Sequence, residues 1–213
     1  GIAGGRAREI AHLAVGVASP MSVDDGFLPG DDPGLHAGSD PWPAPAKLNL
    51  FLHILGRRDD GYHELQTAFQ FVDLCDQLTF TPRSDGRIVR TRGPAEVAAD
   101  SDLVVRAAQA LRRAAGSTPG VSIAIDKRIP LQGGLGGGSS DAATTLIALN
   151  ELWKVGFDRP ALGRLGLELG ADVPVFVGGV AAFGEGRGER LTPIDPPERD
   201  YVILYPGCGL STA

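Results

Sequence analysis

The densest chemical signal in the chain is the run Gly133-Gly134-Leu135-Gly136-Gly137-Gly138-Ser139-Ser140. Ahead of it Val121, Ile123 and Ile125 alternate as in a strand; behind it Ala142, Leu146, Leu149 and Trp153 recur at helical spacing. A strand, a glycine loop and a helix start bring free backbone N–H groups and the positive end of a helix dipole to one point. That is an anion site, and glycine suits it because no Cβ keeps phosphate oxygens from the amides. Ser139 and Ser140 add hydroxyl donors. A flexible Gly/Ser linker is the plain alternative, but linkers are not usually followed at once by an amphipathic helix.

The spacing excludes the two commonest phosphate loops. No lysine follows the glycines, so the G-x-x-x-x-G-K-[ST] pattern is absent. Counting from Gly134 and Gly136, the third glycine of G-x-G-x-x-G would fall at Ser139. The ribose-binding acid expected about 20 positions on is also missing, since Asp158 there reads as a helix cap. Other polar residues are ambiguous alone. Asp172 follows Gly170 and reads equally as a turn carboxylate. Lys47 and Asn49 share one face of a strand. Tyr62 and His63 follow an Asp-Gly turn, where exposed aromatics commonly pack within the loop. Lys127 stands beside Arg128 at a strand end, and Gly184 to Glu189 reads as a hairpin connection with Glu185 and Arg187 solvated.

These residues need elements to hold them. Leu48, Leu50, Leu52 and Ile54 alternate from Ala46 onward, and Leu65, Thr67, Phe69 and Phe71 form a second such run, with shorter strands expected near 77–82 and 87–92. Asp100 or Asp102 caps a helix through Leu111, closed by Gly116. Another helix starts at Pro160 and stops at Gly170. The tail reads as strands near 173–184, 188–193 and 201–205. Strands that cluster with few intervening helices predict an α+β fold.

Composition narrows the partners. The chain has 213 residues, 43% hydrophobic and 22% charged, with a formal charge of −6. Asp24, Asp25, Asp31, Asp32 and Asp40 hold most of the excess, so the body is nearly neutral and has no basic block for nucleic acid or an anionic membrane. A small-molecule partner and a cytoplasmic location are expected. Cys75 and Cys208 fit no disulfide or zinc spacing, and no metal-ligand set is assigned. Residues 1–41 are expected to be a disordered extension. Within them residues 1–20, which precede the sole methionine, Met21, are expected to be non-native and without function.

Four motifs together carry a resemblance: Pro45-Ala46-Lys47-Leu48-Asn49-Leu50, Gly61-Tyr62-His63, Pro130 through Ala142, and Gly170-Ala171-Asp172-Val173-Pro174-Val175-Phe176. In this order they resemble the 4-diphosphocytidyl-2-C-methyl-D-erythritol kinase family of the GHMP kinase superfamily, over about residues 42–213. The resemblance implies a two-layer sheet-and-helix GHMP N-terminal domain that uses ATP and Mg²⁺. It implies phosphorylation of the substrate's 2-hydroxyl in the non-mevalonate isoprenoid pathway. It assigns Asp172 as general base and Lys47 as the cation aligning hydroxyl and γ-phosphate. Pro130, Leu131, Gln132, Gly133, Gly134, Leu135, Gly136, Gly137, Gly138, Ser139 and Ser140 bind the nucleotide. Asn49, Tyr62, His63, Lys127 and Phe183 line the substrate side, with Tyr62 and Phe183 stacking on cytosine and His63 bonding its edge. Family members continue into a C-terminal GHMP domain that is expected to be absent here. Another GHMP small-molecule kinase, or a nucleotide-binding module without turnover, remain the rival readings.

Overall fold

The computed structural model describes residues 14–21, 40–57, 59, 61, 63–116 and 118–205. Its main sheet has six strands: β2 (Trp42–Arg57), β3 (His63–Arg83), β4 (Ile88–Arg92), β5 (Gly120–Asp126), β6 (Ala182–Gly186) and β7 (Arg190–Pro193). The order is β4-β5-β3-β6-β7, with β2 also paired to β3; only the β4–β5 pair is parallel. Four helices accompany it, α1 (Leu103–Ala115), α2 (Gly137–Leu152), α3 (Arg159–Leu169) and α4 (Val173–Gly178). This is the expected α+β, sheet-and-helix arrangement.

The core forms where sheet and helices meet. Phe69, Phe71, Leu78, Phe80 and Ile123 of the sheet join Val104, Leu111, Leu146, Leu149 and Phe176 of the helices, all buried. Helix α2 lies at the centre and touches α1, α3, α4, β2 and β3. Its burial is therefore wider than one apolar stripe, and Ser140, Asp141, Thr144 and Thr145 are buried with it. Caps fall where the sequence indicates: Asp102 accepts from the Val104 amide at 3.1 Å, and Asp158 from the Ala161 amide at 2.8 Å.

Three expectations need correction. The strands read near 65–71 and 77–82 are one 21-residue strand, β3. Its alternation breaks because β3 carries extra residues where Pro45 pairs with Cys75 and Ala46 with Val72, and the buried side chains shift phase from Phe69 and Phe71 to Leu78 and Phe80. Residues 173–178 are helix, not strand, ending at Gly179 with φ +73°. Leu50, Leu52 and Ile54 of the alternating run on β2 are 40%, 49% and 63% exposed. Finally, residues 14–18, assigned to a disordered extension, form β1 (Ala14–Ala18), antiparallel to β8 (Tyr201–Tyr205). Ser19 and Met21 then tie this segment to β3, through Asp73 N to Ser19 O at 3.0 Å and Met21 N to Phe71 O at 3.2 Å. The pairing partner lies almost 190 residues away in sequence, beyond what local pattern reveals.

Candidate active site

The glycine run leads directly into α2. Gly136, with φ +74° and ψ +13°, turns the chain into the helix as its N-cap. A Cβ there would lie 2.8 Å from Phe176 Cζ and 3.0 Å from Lys47 Cγ, so only glycine fits. Pro130 to Ser139, with Leu103 and Lys127, line a cleft of about 220 Å³ over the helix start. Ser140 points away from it: the residue is fully buried and its Oγ has no hydrogen-bond partner. The other ten expected nucleotide residues lie along the cleft, and Ser140 forms the first helical turn behind it.

One rim of the site is β2. The Lys47 amide donates to Leu135 O at 2.9 Å, which anchors the loop to the strand. The Lys47 side chain is 7% exposed, and its Nζ lies 3.3 Å from Asp172 Oδ2. Nζ also donates to Asn49 Oδ1 and stands 5.7 Å from the Phe69 ring centroid. Asn49 is fixed in turn, its Nδ2 donating to Thr67 Oγ1 at 2.7 Å while Thr67 donates to Phe51 O at 2.7 Å. Asp172 sits at the start of α4 but makes no side-chain cap bond, and its carboxylate is one third exposed. A solvent-facing carboxylate held beside a buried ammonium can accept a proton from a hydroxyl that the cation orients.

The opposite rim is Lys127. Its ammonium bonds Asp76 Oδ2 at 2.5 Å and Asp141 Oδ2 at 2.7 Å. Asp76 Oδ1 accepts from the Arg128 and Ile129 amides at 2.6 and 2.8 Å. Burial, countered in part by the Lys127 charge, pushes the Asp141 carboxyl up to about 8.

Of the residues read as a base-binding set, Phe183 and His63 are described and stand apart. Phe183 on β6 pairs with Ala68 and lies 6.3 Å, ring centroid to centroid, from Phe51. His63 is exposed at the far end of β3, opposite Arg57 and five residues from Ala68, about 17 Å along a strand. Tyr62 lies outside the described residues. Sequence reading missed Asp76, Asp141, Thr67 and Phe176, which hold the charged groups and the loop. A lone Asp in a strand or helix carries no spacing signal, and only the three-dimensional contact reveals it.

Comparison with known proteins bears on the fold. The model of the GHMP kinases N terminal domain matches residues 102–180. Among curated proteins, 4-diphosphocytidyl-2-C-methyl-D-erythritol kinase of Pseudomonas aeruginosa (strain UCBPP-PA14) is 62% identical over 171 residues, which cover 80% of this chain and 61% of that protein. The protein of the same name from Halorhodospira halophila is 59% identical over 175 residues, covering 81% and 61%. A crystal structure of 4-(cytidine 5'-diphospho)-2C-methyl-D-erythritol kinase superposes with a TM-score of 0.65 at 45% identity, over 74% of this chain and 56% of that one. Methanococcus jannaschii mevalonate kinase shares the fold, with a TM-score of 0.56 at 13% identity over 76% of this chain and 57% of that one. The chain spans about three fifths of the length of the curated relatives it matches. By fold and by sequence, the chain carries a GHMP kinase N-terminal domain.

Proposed function

We propose that this chain supplies the nucleotide-binding and phosphoryl-transfer half of a 4-diphosphocytidyl-2-C-methyl-D-erythritol kinase. The observation that carries the reading is the Lys47 ammonium, 3.3 Å from the Asp172 carboxylate and on a strand bonded to the glycine loop. In this reading ATP would bind with Mg²⁺, which would supply neutralisation of phosphate charge. Loop amides and the start of α2 bind the phosphates. Asp172 takes the proton of the substrate's 2-hydroxyl as that oxygen bonds the γ-phosphorus and the bond to the β-phosphate oxygen breaks, releasing ADP. Lys47 balances the charge on the transferring group. The names of the relatives support the cytidine-linked substrate and the isoprenoid pathway. Among the described residues no helix is long and apolar enough to cross a membrane. A metabolic kinase of this type would work in the cytoplasm.

A second reading, a nucleotide-binding module without turnover, is favoured by one observation: Phe183 and His63, two of the residues read as base contacts, stand apart. One experiment separates the two. ADP release is measured with the cytidyl substrate, mevalonate and galactose, for the wild type, Lys47→Ala and Asp172→Asn, beside calorimetric ATP binding. The kinase reading expects turnover of the cytidyl compound alone and a loss of about 10²–10⁴ in kcat in each variant. ATP binding with no turnover supports the module. Turnover of mevalonate or galactose instead, or near-normal kcat in either variant, refutes the assignment.

A further inference from the structure

Behind the cleft, one lysine is shared by two carboxylates from elements far apart in sequence. Asp76, on β3, is fully buried; Asp141, in the first turns of α2, is 3% exposed. Lys127 bridges them and then reaches the cleft wall, its Nζ 3.0 Å from where a Cβ on Gly137 would stand. An ammonium has three donors, and two are taken by the carboxylates. The third is left for the cleft.

We propose that Asp76 and Asp141 are positioning residues for nucleotide binding: Asp141 carries a proton, and in that state the two hold the Lys127 ammonium against the start of α2, aimed at the phosphates. The inference rests on the nucleotide-binding reading of this cleft. The geometry favours a proton on Asp141. Asp76 is fully satisfied, by two backbone amides on Oδ1 and by Lys127 on Oδ2. Asp141 receives only Lys127 on Oδ2, and its buried Oδ1 has no partner. A buried carboxylate with an orphaned oxygen is costly as an anion, whereas the neutral acid beside Asp76 is not. Two carboxylates around one lysine would otherwise leave a net negative charge behind the phosphate site.

Among the described residues, Lys127 and Asp76 are the charges that act on the Asp141 carboxyl, and the others nearby are committed elsewhere. From β2 comes Lys47, committed to Asp172, and from the start of α1 comes Asp102, committed to Arg90. Arg128 projects to solvent and pairs with Asp126 at 3.4 Å. Helices α3 and α4 turn Leu162, Gly166, Val173, Val175 and Phe176 inward.

The sign of the pH dependence follows. An acid titrating near 8 is neutral at pH 7 and charged at pH 9. The charged form sets an anion behind the phosphates, so nucleotide binding favours the proton, and affinity falls as pH rises through 8. With full coupling the dissociation constant rises about tenfold between pH 7 and pH 9. Asn at 141 reproduces the neutral acid, accepting from Lys127 and donating to Asp76, without a titrating proton.

The test is calorimetric binding of ADP, without acceptor substrate, to the wild-type chain and Asp141→Asn from pH 6.5 to 9. The difference between the two proteins cancels the titration of the nucleotide's own phosphate. The expected result is convergence at low pH and binding about tenfold tighter in the variant at pH 9. The wild type is also measured at pH 8.5 in two buffers of different ionisation enthalpy, which needs no variant, and proton uptake on binding is expected. Parallel pH profiles in the two proteins, or no proton uptake by the wild type, overturn the inference while leaving nucleotide binding intact. Failure of the wild type to bind ADP at any pH overturns the nucleotide reading and the inference with it.

Discussion

Two glycines of the loop share a backbone conformation but not an environment. Gly134 and Gly136 both have φ +74°, yet a Cβ on Gly134 would meet nothing within 4 Å, while one on Gly136 would press on Phe176 at 2.8 Å. Phe176 cannot retreat, since it is 1% exposed and stacked on Phe71 with ring centroids 5.3 Å apart. Gly134→Ala therefore bears only the left-handed penalty of a side chain, about 1–2 kcal/mol. Gly136→Ala adds overpacking, about 1–3 kcal/mol more. With a urea m-value near 2 kcal/mol/M, the unfolding midpoint should fall by about 0.5–1 M in the first variant and about 1–2.5 M in the second. Equilibrium urea unfolding, followed by fluorescence and far-ultraviolet dichroism, measures both. Midpoints within about 0.3 M of each other would show that Phe176 yields, and would refute the claim that packing adds to backbone conformation in reserving position 136 for glycine.

Two further outcomes follow from buried charge. Arg90 and Asp102 pair with side chains 9% and 10% exposed, and Arg90 also donates to the Pro94 and Val97 carbonyls at 3.2 and 2.7 Å. Arg90→Ala should cost about 3–5 kcal/mol in urea unfolding, because Asp102 is left buried and unpaired, and a cost below about 1 kcal/mol would contradict this. Burial first, then the Asp73 and Asp76 charges, pushes the Cys75 thiol up to about 11. At pH 8 its alkylation by iodoacetamide, mapped by mass spectrometry, should run more than about 100-fold slower in the native chain than in urea; rates within about tenfold would refute it.

Much of this architecture is legible in the sequence where one local rule decides. Asp102 and Asp158 are helix caps by residue type and position, and the glycine run opens α2 with Gly136 in the left-handed region at its N-cap. Legibility fails where a distant partner decides. Val173 to Gly178 offers six apolar and small residues that suit a buried strand or a buried helix equally; packing against α3 and α2 makes it helix. The leucines of β2 alternate as if for a core, but which face receives helices is a tertiary matter. In the site, Lys47 and Asp172 are 125 positions apart and meet only because β2 and α4 flank the same loop. Asp76 and Lys127 are 51 apart, and no spacing rule links them.

The single length of β3 gives these separations a physical sense. Thr67 and Phe69, near one end, steady Asn49 and Lys47; Asp76, nine residues past Thr67, fixes Lys127. Nine residues of strand span about 30 Å when fully extended, and the extra residues near 73 and 74 shorten that reach. Were β3 two independent strands, the supports of the two lysines could shift relative to each other. As one hydrogen-bonded strand it acts as a common base for both rims, with the glycine loop tied to β2 at Lys47 on one side and, through Ile129 N, to Asp76 on the other. A phosphate in the cleft would then meet two ammonium groups already oriented by carboxylates. Little reorganisation would be needed on binding, the condition under which fixed charges contribute most.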